Sequence, residues 1–144
     1  MKENEYSLRE KKHARTKNAI MNAFMERLRH NRFDDISVRN VCDDAEVAEG
    51  TFFNYFPEKI DVIGYYLHLM TLKMIWKAKK ETSSGKYLPV IDSVFRQLVE
   101  ELNNNNLTYQ IISVLLVQSE RPKKVTISAL EKRLAFPDCA KHHG

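Results

Sequence analysis

Ile20, Ala23, Phe24 and Leu28 recur at three- and four-residue spacing with Arg and Lys between them, which predicts an amphipathic helix from Arg9 to His30. The polar residues 1 to 8 are expected to fray. A turn follows at Asn31–Asp35, with Asn31 as a left-handed C-cap and Ile36 stapling onto the next element. Ser37 is a good cap for a second helix, Val38 to about Ala45, with Val38, Val41, Cys42 and Ala45 on one face and Arg39, Asn40 and Asp43 pointing away. A tight break at Glu46-Val47 leads to a third helix, about Glu49 to Phe56, stopped by Pro57. Phe52 and Phe56 fall on its inward face. Gly50, Thr51, Asn54 and Tyr55 fall outward with Phe53 at the margin, and Gly50 leaves room for close approach of something bulky.

Three helices this short bury too little alone and need a neighbour. The helix expected from about Glu58 to Lys80 supplies it. Ile63, Tyr66, Leu67, Met70 and Met74 make one stripe, and Val62, Tyr65, Leu69, Leu72 and Trp76 another, as in a helix sandwiched between two partners. Glu81–Lys86 reads as a linker. Pro89 suits the first turn of a fifth helix, along which Ile91, Val94, Phe95, Leu98, Val99 and Leu102 form the cleanest apolar stripe in the chain. The Asn103–Asn106 run reads as a connector. Leu107–Val117 is apolar almost all round, a buried helix or a subunit interface, and Arg121-Pro122 breaks it. Ser128 and Glu131 form a capping-box pattern before a last short helix containing Leu130 and Leu134, ended by Pro137. The fold expected is all-α: a three-helix head joined by a long fourth helix to a small helical body, with domains at 9–57 and 58–144.

Composition narrows the function. With 43% hydrophobic and 29% charged residues among 144, a soluble globule is expected. No apolar run is long enough for a membrane span, and Cys42 and Cys139 point to a reduced, cytoplasmic protein without a disulfide framework. The net charge of +4 is unevenly spread. Arg9 to Arg32 holds eight Lys/Arg against Glu10 and Glu26, whereas Phe33 to Glu58 holds Arg39 against seven acids. The basic arm suits phosphate contacts. The acidic segment opposes them.

The head resembles the TetR family of bacterial transcriptional regulators over roughly residues 12 to 66. The resemblance is carried by Arg15, Ile20, Ala23 and Phe24, by Phe33 and Ile36-Ser37-Val38, by Val41, Ala45 and Val47, and most densely by Gly50-Thr51-Phe52-Phe53-Asn54-Tyr55-Phe56-Pro57 with Lys59. It implies a helix-turn-helix whose second helix enters the major groove of double-stranded DNA. By that resemblance Arg39 reaches a base or phosphate, Gly50 and Thr51 approach base edges, and Phe53 packs on sugar or a thymine methyl. Asn54 pairs with adenine or binds phosphate, Tyr55 binds phosphate, and Lys59 contacts the backbone beside a helix N-terminus. It further implies a homodimer and a small effector.

The sequence departs from the family at Glu46, where a small residue is common, at Ala48, which replaces a capping hydroxyl, and at Glu49, where a basic or polar residue is usual. Glu49 either accepts a hydrogen bond from cytosine N4 or repels phosphate. The chain also stops before the last two helices of the family, its main dimer interface, so either Leu107–Val117 and the last helix form a reduced interface or dimerisation is impaired.

An effector pocket for a small apolar molecule is expected around Tyr66, Met70, Met74, Phe95 and Tyr109, although each alone reads as ordinary core. His68 reads as a rim residue, Cys42 as a small buried hydrophobe or a redox switch, and Cys139, His142 and His143 as a frayed tail with a faint metal-like look. No catalytic motif, metal set or cofactor site is evident. Asp34-Asp35 and Asp43-Asp44 read as surface charge, since neighbours on a helix do not face one another. The function expected is a DNA-binding repressor released by an effector. The alternative is a helical interaction module that heterodimerises with or sequesters a longer relative without touching DNA.

Overall fold

The computed structural model describes residues 6–82, 85–104, 106–117 and 126–137. They are all-helical: α1 (Leu8–His30), a 3-10 turn (Phe33–Asp35), α2 (Val38–Ala45), α3 (Glu49–Tyr55), α4 (Lys59–Glu81), α5 (Tyr87–Asn104), α6 (Asn106–Val117) and α7 (Ala129–Ala135). Positions 83–84 of the expected Glu81–Lys86 linker, the expected break at Arg121-Pro122, and the tail with Cys139, His142 and His143 lie outside the described residues.

Caps account for most boundaries. Ser7 starts α1 through a reciprocal box with Glu10: the Glu10 N–H donates to Ser7 Oγ at 3.2 Å, and the Ser7 N–H donates to the Glu10 carboxylate at 2.8 Å. The helix therefore begins at Leu8 rather than fraying through that residue. Ser37 caps α2 by accepting from the Asn40 N–H at 3.1 Å. Ser128 and Glu131 form the box expected for α7. Asn31 departs from expectation. Its backbone is extended, and its side-chain amide donates at 2.9 Å to the Arg27 carbonyl, which also accepts the Asn31 N–H at 2.9 Å, so the helix closes without a left-handed residue. The left-handed position is Glu46 instead (φ 56°, ψ 44°), where the chain turns from α2 towards α3 and Val47 N–H returns to the Cys42 carbonyl at 3.0 Å. The asparagine run is shorter as a connector than its composition predicts: α5 continues through Asn104 and α6 starts at Asn106.

One buried cluster takes in residues of α1, α2, α3, α4 and α6. Phe24, Leu28, Val41, Phe52, Phe56 and Ile63 meet Tyr65 and Leu69 of α4 and Leu107 and Ile111 of α6. Phe52 and Phe56 on α3 lie with ring centroids 5.8 Å apart, and Phe56 meets Tyr65 at 5.6 Å. The end of α4 nearest the head is buried on two sides, at Ile60, Val62, Ile63 and Tyr65; farther along only Leu69, Met74 and Ala78 are fully buried.

α5 packs on α4 with its polar side. Ser93 is buried and donates to Glu81 at 3.0 Å, and Gln97 donates to the Met74 carbonyl at 3.2 Å. Val94 and Leu98 are half-buried, while Ile91, Phe95 and Val99 face outward. The apolar stripe read from sequence is thus split, and most of it is uncovered by the described residues.

A buried ion pair fastens α7 onto the head. Lys17 Nζ lies 2.8 Å from Glu131 Oε1, donates to the Thr126 carbonyl at 3.1 Å, and sits 4.4 Å over the Tyr65 ring. Tyr65 donates its hydroxyl to the same Glu131 oxygen at 2.8 Å. Burial pushes the Tyr65 phenol well above its ordinary range, and the Glu131 carboxylate adds to that. For Glu131 burial opposes ionisation, yet hydrogen bonds from Lys17, Ser128 and Tyr65 outweigh it and the carboxyl is held below its ordinary value of 4.5.

The depressed folded value sets the sign. Glu131 contributes stability above the ordinary carboxylate range, and that contribution is lost as pH falls through the folded value below 4.5. Glu131→Gln strands the Lys17 ammonium, and we expect it to cost about 3 kcal/mol in chemical denaturation at neutral pH and to flatten the acid limb of the stability profile. A Lys17→Met, Glu131→Leu double variant is expected to lose clearly less than the single change.

Candidate nucleic-acid interface

α3 is only seven residues long, and its inward side is fixed by Phe52 together with Phe56 just past its end, both fully buried. The rotation of the helix is therefore set. Gly50, Phe53 and Asn54 are exposed, Thr51 and Tyr55 are half-exposed, and Phe53 keeps 48% of its surface open. This is the outward set read from sequence. A Cβ built on Gly50 meets nothing within 4 Å, so no internal contact requires a glycine there. Ala48 precedes the helix with extended backbone and no side-chain cap, as the missing hydroxyl implied.

Arg39 is exposed on α2. The N-terminal part of α1 borders the same region, because the His13 ring lies edge-on to Tyr55 at 4.6 Å. Arg9, Lys12 and Arg15 are exposed on that stretch of α1. The basic arm is smaller than its composition suggests. Lys17 is buried against Glu131, and Arg27 makes a two-pronged bridge to Asp44 at 2.5 and 3.0 Å, tying α1 to α2. That bridge holds the Asp44 carboxyl below its ordinary range, chiefly through the Arg27 hydrogen bonds. It also neutralises one of the seven acids of the 33–58 segment; Asp43, Glu46 and Glu49 remain exposed.

Lys59 is placed differently from a free phosphate ligand. Its ammonium donates to the Phe33 carbonyl at 3.0 Å and the Ile36 carbonyl at 2.9 Å, and lies 4.8 Å from the Phe33 ring centre. It braces the turn before α2 from the start of α4. The N-terminus of α4 is likewise occupied from within, since the buried Asp61 carboxylate accepts from the Glu58 N–H at 2.9 Å. Sequence reasoning missed this bracing role; the acceptors are backbone carbonyls more than twenty positions away, which leave no residue signature.

A cleft of about 720 Å³ opens between α1, α4, α5 and α7. Tyr66, Met70 and Met74 line it with Met21, Leu69 and Leu134, whereas Phe95 and Tyr109 do not line it and are exposed. Its walls are not mainly apolar: Arg29, Lys73, Lys77, Glu100 and Glu101 also line it. Cys42 is buried, and burial pushes its thiol up, the neighbouring Glu49 and Asp43 adding to the effect, which disfavours the reactive thiolate. Among the described residues no group of His, Cys, Asp and Glu is arranged to hold a metal ion, and no helix is long and apolar enough to cross a membrane.

Ala48 has the extended backbone of a helix cap but lacks the oxygen. Ala48→Ser is expected to stabilise the fold by about 1 kcal/mol, read as a raised denaturation midpoint with an unchanged slope.

Compared with protein-family models the chain matches none, and no curated protein matches it.

Proposed function

We propose that the protein is a sequence-specific DNA-binding regulator of the TetR type, acting as a homodimer. The observation that carries this reading is the outward face of α3. Gly50, Phe53 and Asn54 are exposed, Thr51 and Tyr55 flank them, and the inward face is locked by Phe52 and Phe56. Such a helix is fixed in rotation and offers small, polar and aromatic groups at one end, as a major-groove reader requires. Arg39 and the exposed cations at residues 9–15 are the phosphate anchors in this reading, and they offset the exposed carboxylates of the 33–58 segment. Lys59 acts indirectly, by holding the turn that orients α2. Regulation would come from a small molecule in the cleft beside Tyr66, Met70 and Met74, whose charged and amide lining favours a ligand with polar groups over a purely apolar one.

A glycine in a helix costs up to about 1 kcal/mol against alanine, and nothing within 4 Å of Gly50 demands it. Close approach to DNA supplies a reason. Gly50→Ala is therefore expected to raise thermal stability while weakening binding to DNA flanking the protein's own coding region. Asn54→Ala should narrow the gap between that DNA and random DNA. Arg39→Ala should weaken both alike and reduce the slope of log affinity against log salt by roughly 0.9. Fluorescence anisotropy across a salt series reads all three, and unchanged binding in every variant would remove α3 from the interface.

A second reading is favoured by the exposed Asp43, Glu46 and Glu49 beside α3, which suit a basic protein partner better than phosphate. In that case the chain would sequester a relative and would show no salt-dependent retention on DNA.

A further inference from the structure

α5 carries an apolar band that none of the described residues covers. Leu88 is 79% exposed, Ile91 50%, Phe95 63%, Val99 52% and Leu102 37%. Contiguous exposure of this size is unusual for a surface that stays in water. The opposite side of α5 explains why the band is outward. Ser93 and Gln97 bind the α4 side through hydrogen bonds to Glu81 and the Met74 carbonyl, so the helix cannot roll its apolar band inward without breaking them.

The spacing of the band is symmetric about its centre. Going out from Phe95, Ile91 and Val99 lie four residues to either side and Leu88 and Leu102 lie seven to either side. A two-fold axis through Phe95 places Leu88 opposite Leu102 of a second copy, Ile91 opposite Val99, and Phe95 against itself, with the two helices antiparallel. A symmetric interface is built from one surface that complements itself in this way. The charges on the same side obey the same operation. Asp92 and Arg96, paired within the helix, would lie within about 3 Å along the axis of the opposite charge on the second copy, at a rise of about 1.5 Å per residue. Five exposed apolar side chains per copy, with Tyr87 beside them, would form the apolar centre of such a contact, and Asp92 and Arg96 part of its polar rim.

We propose that a second copy of this chain docks on α5 in antiparallel register, crossing at Phe95. The inference deepens the homodimer of the proposed function by naming its surface, and it stands whether or not the dimer binds DNA. Equilibrium sedimentation of the full chain and its variants tests it, with helical content checked by circular dichroism.

The unaltered protein is expected to be a dimer, and Phe95→Glu a folded species whose self-association is weakened about tenfold or more. Leu88→Lys and Leu102→Glu should each weaken it, and the double change should restore it in a salt-sensitive manner, because the antiparallel register sets Lys against Glu. A Phe95→Cys variant in a Cys139→Ser background should be linked between copies by a short bismaleimide, which keeps the test decisive if a charged variant fails to fold. A strictly monomeric protein overturns the proposal. So does a dimer that survives Phe95→Glu unchanged, or one in which the double change is additive rather than restorative. Retention on DNA, measured separately, decides the functional reading: a dimer through α5 without it sinks the regulator and leaves this interface standing.

Discussion

The orientation of α3 depends on a line of buried rings and charges that runs through the molecule. A seven-residue helix has too few internal hydrogen bonds to persist alone. Phe52 and Phe56 lock it to the core, Phe56 packs on Tyr65 of α4, and Tyr65 gives its hydroxyl to Glu131 of α7, which also holds Lys17 of α1. Each member is fixed by the next. The line also links elements that lie far apart in sequence, so α7 bears on the head directly and not only through the body.

That arrangement has a consequence for regulation. Leu134, Ala135 and Phe136 at the end of α7 line the same cleft as Tyr66, Met70 and Met74 of α4. A ligand seated there would press on the helix that carries Glu131 and on the helix that carries Tyr65. Both converge on Lys17. A cleft whose walls share a buried ion pair with the head is a physically contiguous route for coupling, and such coupling is limited to the difference in ligand affinity between two arrangements.

How much could be read from the chain varies with the range of the interaction. α2, α3 and their facing residues were legible because Ser37, Pro57 and the Phe52/Phe56 spacing are local signals. The capping box at Ser128 and Glu131 was legible for the same reason, and the box at Ser7 and Glu10 carries the same pattern although the helix was expected to begin at Arg9. Asn31 was misread as left-handed because its propensity is shared by two solutions, and the side chain's bond to the Arg27 carbonyl selects the other. Lys17 with Glu131 and Lys59 with the Phe33 and Ile36 carbonyls were not legible at all; nothing in a linear pattern announces a partner tens of positions away. The stripe on α5 marks the limit of periodicity. It identifies an apolar face correctly but does not say whether the protein's own core covers it, and here the polar Ser93 and Gln97 side made that contact instead.

The charge pattern places the sharpest demand on the functional account. Exposed Asp43, Glu46 and Glu49 lie beside the face proposed to meet DNA, and Lys17 and Arg27 are paired internally. If the protein binds DNA as proposed, two copies, each anchored by Arg39 and the cations at 9–15, would be needed for useful affinity. Selection of binding sites from a pool of random duplexes by the intact protein tests this most directly. The account predicts enrichment of an inverted repeat whose two halves are spaced by about one helical turn or a multiple of it. Enrichment of no sequence, under salt conditions low enough to permit phosphate contacts, would contradict it.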